Sequence, residues 1–191
     1  MVTSLSAFEV DKVLREGHYA VVTPALVARL FKITNQNTLY KWLQRLTAQR
    51  VLKRAGNGLY FVASTRPGTF FVANSLVTPS YVSLETALNF YGILPQFPYP
   101  VTSVTTKRNS TIIFDSREFV FRRLNSNLYF GFVKQDDYLI ATPEKAVFDL
   151  LYFKSKGLAR VAIDDWDISC INKNLLKKIA KKVNLSADKL L

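Results

Sequence analysis

Apolar positions in the first fifty residues fall at helical spacings. In Ala7 to His18 (AFEVDKVLREGH), Phe8, Val10, Val13 and Leu14 predict a short amphipathic helix ended by Gly17. Thr23 followed by Pro24 is an N-cap with proline at the first helical position. It opens a second helix to about Leu30, with Leu26, Val27 and Leu30 inward. After a turn at Ile33 to Asn35, Leu39, Leu43 and Leu46 stand at i, i+4 and i+7 with Trp42 on the same side, which predicts a third helix from about Gln36 to Gln49. The period then shortens. Val51 to Arg54 and Leu59 to Val62 read as two strands around Ala55, Gly56, Asn57 and Gly58, where glycine supplies the positive φ of a tight turn. Helix, helix, turn, helix and ribbon is the order of a winged helix-turn-helix, expected over residues 1–66.

Thr65, Arg66, Pro67 and Gly68 read as a linker, because Pro and Gly interrupt both periodicities. Beyond it a short strand is expected at Thr69 to Ala73. A helix follows at Ser83 to Tyr91, capped by Ser83, with Glu85 in its first turn and Leu84, Ala87, Leu88 and Tyr91 buried. The runs VTSVTT, STIIFD, EFVFRRL, LYFGFV and YLIA between residues 101 and 141 are rich in β-branched and aromatic residues and predict four or five strands. Thr142, Pro143 and Glu144 repeat the cap-and-proline start for a helix burying Ala146, Val147, Leu150 and Leu151. A last helix, about Lys173 to Val183, sets Leu175, Leu176, Ile179 and Val183 against Lys177, Lys178, Lys181 and Lys182. The expected fold is α+β: a winged helix-turn-helix at 1–66, then a mixed α/β domain at 69–191 with a mainly antiparallel sheet.

Charge sharpens the first half of this picture. The 191 residues carry a formal charge of +12. Residues 1–66 hold ten Lys or Arg against three acids, and 67–191 hold sixteen against eleven. Between Glu16 and Glu85 there is no Asp or Glu, yet eight Lys or Arg occur there. A solvated surface ordinarily mixes signs, whereas phosphate repels carboxylates, so the pattern points to duplex DNA. The third helix supplies Gln36, Asn37 and Thr38 near its N-terminus, the part that reaches base edges in helix-turn-helix proteins, with Lys41 and Arg45 one and two turns on. Lys53, Arg54 and Asn57 are placed to meet phosphates or the minor groove. Tyr40 either packs on the sugar-phosphate backbone or covers its own helix. A secondary basic patch comprises Lys107, Arg108, Arg122 and Arg123. Strand alternation puts Arg122 and Arg123 on opposite faces.

Other chemistry finds little support. One cysteine, Cys170, and one histidine, His18, make neither an internal disulfide nor a His/Cys metal site, and no metal or cofactor is expected. Asp164, Asp165 and Asp167 crowd around Trp166, but an exposed acidic turn beside a buried tryptophan accounts for them; Asp136 and Asp137 read as a turn. No glycine-rich phosphate loop, nucleophile elbow or zinc-protease motif occurs, so an enzyme is not expected. No apolar run approaches the ~20 residues of a membrane helix, and a cytoplasmic location is expected. The C-terminal lysine face is open to three readings: a solvated face, a second nucleic-acid surface or an anionic membrane contact.

The second domain carries a family resemblance. PSYVSLETALNFYGIL (79–94), VTSVTTKR (101–108), FVFRR (119–123), YFGF (129–132) and ATPEKAVFDLLY (141–152) resemble, in order, the AbiEi-type antitoxins of type IV toxin-antitoxin and abortive-infection systems. The resemblance covers roughly residues 7–155. It implies a winged helix that represses its own operon at promoter repeats, and a second domain that counteracts a nucleotidyltransferase-type toxin without obligatory contact. It carries the promoter-binding role onto Gln36 to Arg45 and Lys53 to Asn57. The alternative is a protein-interaction module that holds a toxin or another protein directly through the C-terminal domain.

Overall fold

The computed structural model describes residues 5–56, 58–159 and 166–181. The chain divides into two compact units, Met1–Gly68 and Thr69–Leu191. The fold is mixed α+β, with seven α-helices among the described residues.

In the first unit α1 (Ala7–Glu16) starts with a reciprocal capping box: Ser6 Oγ accepts from Glu9 N, and the Glu9 carboxylate accepts from Ser6 N. Thr23 caps α2 (Pro24–Leu30) through a bond from Leu26 N, and Asn35 caps α3 (Gln36–Ala48) through one from Thr38 N. All three helices end on a left-handed residue that is not glycine: His18, Lys32 and Arg50 have φ of 55°, 49° and 59°. Gly17 ends α1 as expected, with φ −80°, and the left-handed step falls one residue later. Two strands, β2 (Leu52–Gly56) and β3 (Leu59–Val62), pair antiparallel. The register shifts between Arg54 and Gly56, where Gly56 has φ 91°. A two-residue strand, β1 (Val21–Val22), too short to show a pattern, adds to the other side of β3 and gives the order β1-β3-β2.

Val10, Leu14, Val22, Val27, Leu39, Trp42, Leu43, Leu46, Leu52, Tyr60 and Val62 close one core between these helices and the sheet, with Phe31 edge-on to Trp42. Phe8 and Val13, expected on the inner face of α1, are exposed. Phe8 lies across the helix from the line that Val10 and Leu14 set, and Val13 stands at its edge.

The second unit is built on a six-stranded mixed sheet of order β6-β7-β5-β4-β9-β8. Its strands are β4 (Ser80–Val82), β5 (Val101–Thr105), β6 (Ser110–Phe114), β7 (Arg117–Arg123), β8 (Phe132–Gln135) and β9 (Tyr138–Ala141). Hairpins β6–β7 and β8–β9 and the pair β4–β5 are antiparallel, whereas β4–β9 and β5–β7 are parallel. Three of the five pairings are thus antiparallel, so the sheet is mainly antiparallel as expected, with two parallel pairings that make it mixed. Three expectations change here. Thr69 to Ala73 belongs to a helix, α4 (Thr69–Leu76), whose Phe70 packs edge-on against Phe90 and Tyr138. LYFGFV contributes a 3-10 turn at Ser126–Leu128, and its strand begins only at Phe132. The short β4 falls in a segment not expected to be a strand.

Helices cover both faces of this sheet. Thr102 of β5 hydrogen-bonds Ser83 and Thr86 at α5 (Leu84–Phe90), and Tyr81 of β4 reaches α6 (Pro143–Ser155). By strand alternation both residues lie on one face, while Tyr138, against α4, lies on the other. The last helix, α7 (Lys173–Lys181), packs on α6 through Leu176, Ile179 and Ala180. Leu175, expected inward, is exposed. Lys177, Lys178 and Lys181 are exposed as expected, while Lys182 and Val183 lie outside the described residues.

Candidate nucleic-acid interface

At 100° per residue the side chains of α3 divide cleanly in two. Leu39, Trp42, Leu43 and Leu46 are buried, whereas Gln36, Asn37, Thr38, Tyr40, Lys41, Gln44 and Arg45 are exposed. Helical spacing sets Gln36, Tyr40 and Gln44 in one row and Asn37, Lys41 and Arg45 in the next. The exposed face thus presents amide, hydroxyl, guanidinium and ammonium groups and no carboxylate. Tyr40 is 51% exposed, so it does not fold fully back onto its own helix. Two members are engaged locally. Thr38 donates its hydroxyl to the Asn35 cap, and an Arg45 guanidinium nitrogen donates to the Leu5 carbonyl at 3.4 Å.

Lys53 and Arg54 are both exposed on β2, but they do not share a face of the ribbon. Lys53 lies opposite Phe61 and Arg54 opposite Tyr60, so successive side chains point to opposite sides. Asn57 lies outside the described residues.

In the second unit Lys107 and Arg108 occupy the turn leading into β6, and Arg122 and Arg123 end β7. The structure brings all four to one end of the sheet, since Asn109 Oδ1 accepts from Arg123 N at 2.6 Å. Arg122 lies opposite Val104 and Arg123 opposite Thr105, which leaves them on opposite faces. Arg122 also lines a cleft of about 360 Å³ with Glu85, Pro100 and Val120. Of the acidic cluster, Trp166 is buried and Asp167 is exposed, its carboxylate accepting from Ser169 N; Asp164 and Asp165 lie outside the described residues. Among the described residues no three His, Cys, Asp or Glu side chains lie together so as to hold a metal ion. None of the helices among the described residues is long and apolar enough to cross a membrane.

A network that the apolar stripe of α6 did not announce lies at the centre of the second unit. The Lys145 ammonium contacts the Asp149 carboxylate one turn along α6 and also donates to Tyr81 Oη at 2.9 Å. Asp149 accepts from Tyr81 Oη at 2.9 Å and from Ser83 Oγ at 2.8 Å. Ser83, expected to cap α5, makes no side-chain capping bond, because its hydroxyl is spent on Asp149. Lys145 and Asp149 have no exposed surface. The ammonium sits within 5.0–5.4 Å of the ring centres of Tyr81, Phe130 and Phe148. Gly131 closes the pocket: a Cβ there would stand 3.1 Å from the Lys145 stem. Burial pushes the Asp149 carboxyl up and the Lys145 ammonium down, and each charge offsets part of the other's displacement. With both charges sealed from solvent, the arrangement works as a clamp between β4 and α6.

Burial also pushes up the phenols beside this clamp. Tyr129 is pushed up to about 12, and Tyr81 is raised further by burial and by the Asp149 charge. A group whose pKa is raised on folding stabilises the fold below its unfolded value and ceases to do so as pH rises through the folded value. Stability should therefore fall from about pH 10, where unfolded tyrosine ionises, towards pH 12. Phenolate absorbance should rise in two stages, with Tyr81 ionising only as circular dichroism reports loss of the fold. A single step near pH 10 for all nine tyrosines, with the fold intact, would contradict this burial.

No family model matches this chain, and comparison with curated proteins gives no match.

Proposed function

We propose that the first unit is a winged helix-turn-helix that binds double-stranded DNA, with α3 as the recognition helix and the β2–β3 hairpin as the wing, and that the chain is a transcriptional repressor. One observation carries this reading: the exposed face of α3 holds Gln36, Asn37, Thr38, Tyr40, Lys41 and Arg45 with no carboxylate, inside a stretch that has none from residue 17 to 84. Bidentate and single hydrogen bonds from such side chains read base edges, and cations on the hairpin hold phosphates. The ordered resemblance of residues 79–152 to AbiEi-type antitoxins supports a more specific role. In that role the repressor acts on promoter repeats of its own operon and counteracts a nucleotidyltransferase-type toxin without needing to touch it.

A second reading, a protein-interaction module in the C-terminal unit, is favoured by the segment Leu94 to Pro100, which exposes Phe97 by 90% and Tyr99 by 81% between prolines.

Binding of fluorescent duplexes covering the upstream region, followed by anisotropy against salt, tests the first reading. About five phosphate contacts at about −0.9 each give a slope near −4 to −5 in log K against log salt. Asn37→Ala or Arg45→Ala should cost about 1–3 kcal/mol on the preferred sequence and much less on random duplex, and Lys53→Ala should weaken both alike. Affinity for duplex that hardly changes with salt would remove this surface as the DNA site.

A further inference from the structure

We propose that the cleft between β7 and the helices α5 and α6 is a ligand site, and that it takes a free α-amino acid with a large apolar side chain. The pairing of β5 with β7 builds its floor. Thr102 stands opposite Val120 and Val104 opposite Arg122, so Thr102, Val120 and Arg122 share the face of the sheet on which α5 and α6 lie. The helices supply the wall: Leu84 and Glu85 from α5, Leu150 and Phe153 from α6. At about 360 Å³ the cleft falls within the range of small-molecule sites, and like them it is mostly apolar with a few polar groups. The Thr102 hydroxyl is already spent inside the protein, donating to the Ser83 carbonyl at 2.7 Å and accepting from Thr86 N at 3.1 Å.

Two charged side chains identify the ligand. Glu85 and Arg122 are the only ionisable residues among the described residues that line the cleft, and their charges are opposite. They do not meet: among the described residues neither side chain is engaged in an ion pair or a hydrogen bond. Different elements hold them, Glu85 a helix that Thr102 ties to β5 and Arg122 the strand β7. A carboxylate and a guanidinium that face one space without joining are matched by a molecule that brings an ammonium to the first and a carboxylate to the second. A free α-amino acid carries both on one carbon. An amine or a carboxylic acid would leave one protein charge unanswered in a largely apolar site, and a residue within a peptide carries neither group. The side chain of the ligand then lies on Val120, Leu150, Phe153 and Leu158, and Leu158, otherwise 59% exposed, is covered in the process.

Isothermal titration calorimetry of the full chain with L-leucine and L-phenylalanine, carried out without DNA, keeps the outcome separate from that of the DNA reading. At least one of the two should bind with a Kd of about 0.01–1 mM and raise the thermal midpoint of the C-terminal unit. The amine and the acid that keep the same side chain and one charge each, isoamylamine and isocaproate for leucine or phenethylamine and hydrocinnamate for phenylalanine, should bind at least tenfold more weakly. Arg122→Gln should lower the affinity for the amino acid to that for the amine, and Glu85→Gln to that for the acid, with circular dichroism as in the parent. Loss of folding would not produce that pair of altered preferences. Failure of both amino acids to bind at about 10 mM would overturn the proposal. So would an amine or acid that binds as tightly as the amino acid, or variants that keep the affinity and preference of the parent.

Discussion

Asp149→Ala should cost the C-terminal unit about 3–5 kcal/mol, the usual penalty for removing one member of a buried ion pair, and lower its thermal midpoint by roughly 10–25 °C. The loss is large because the substitution strands the Lys145 ammonium. Without the carboxylate that cation keeps only Tyr81 Oη and the faces of three aromatic rings. Tyr81 and Ser83 lose their common acceptor in the same step. Lys145→Met should be milder, since Asp149 retains two hydroxyl donors. The double variant Lys145→Met/Asp149→Leu should recover part of the loss, because no buried charge is then left over. The two tryptophans fall one in each unit, so a Trp42→Phe background leaves Trp166 to report unfolding of the C-terminal unit. Thermal melts within 1 °C of the parent for Asp149→Ala would mean that the pair is not sealed as described.

Leu43→Ala should unfold most of the N-terminal unit at 37 °C and abolish duplex binding. Leu43 is fully buried at the centre of the core. Truncating such a leucine costs about 2–5 kcal/mol, and a unit of under seventy residues commands only about 3–5 kcal/mol in all. The C-terminal unit has buried residues of its own, from Val72 to Ala180, so the Trp166 signal should keep its cooperative transition while that of Trp42 disappears. Chemical denaturation followed at both tryptophans, in single-tryptophan backgrounds, distinguishes the two. A Trp42 transition that survives within 1 kcal/mol of the parent would show that the core between α3 and its neighbours is not the one drawn above.

Much of the first unit is legible because one stripe is unambiguous. Leu39, Trp42, Leu43 and Leu46 fall within a single helical face, and the side chains between them are polar, so sequence and burial agree residue by residue. α1 is less legible. Its four apolar residues are spread too widely for one face, and only contact with the rest of the core selects Val10 and Leu14 over Phe8 and Val13. Thr69 to Ala73 contains β-branched and aromatic residues that suit a strand as well as a buried helix. Partners distant in sequence, Phe90 and Tyr138, decide for the helix. Lys145 and Asp149 were hidden for another reason. Opposite charges at i and i+4 ordinarily mark a solvated helix face. The available signal was the apolar content around them: with Ala146, Val147, Phe148, Leu150 and Phe153 distributed about α6, that helix has little polar face left, and charges inside it must be paired. The parallel pairs of the sheet left no trace in the pattern, since alternation is the same whichever neighbour a strand takes.

The pairing of β4 with β9 bears on the order in which the chain acquires structure. Val82 meets Ile140, and Tyr81 meets Asp149, 68 residues further along. The middle of the second sheet is therefore incomplete until Ile140 has been synthesised, and its buried network until Asp149 has. The α3 core closes among residues no later than Val62. Contacts of short sequence separation form quickly and distant pairings slowly. On the ribosome the N-terminal unit thus reaches its native contacts while Tyr81, on a short central strand, and Ser83 just after it still wait for the carboxylate they hold.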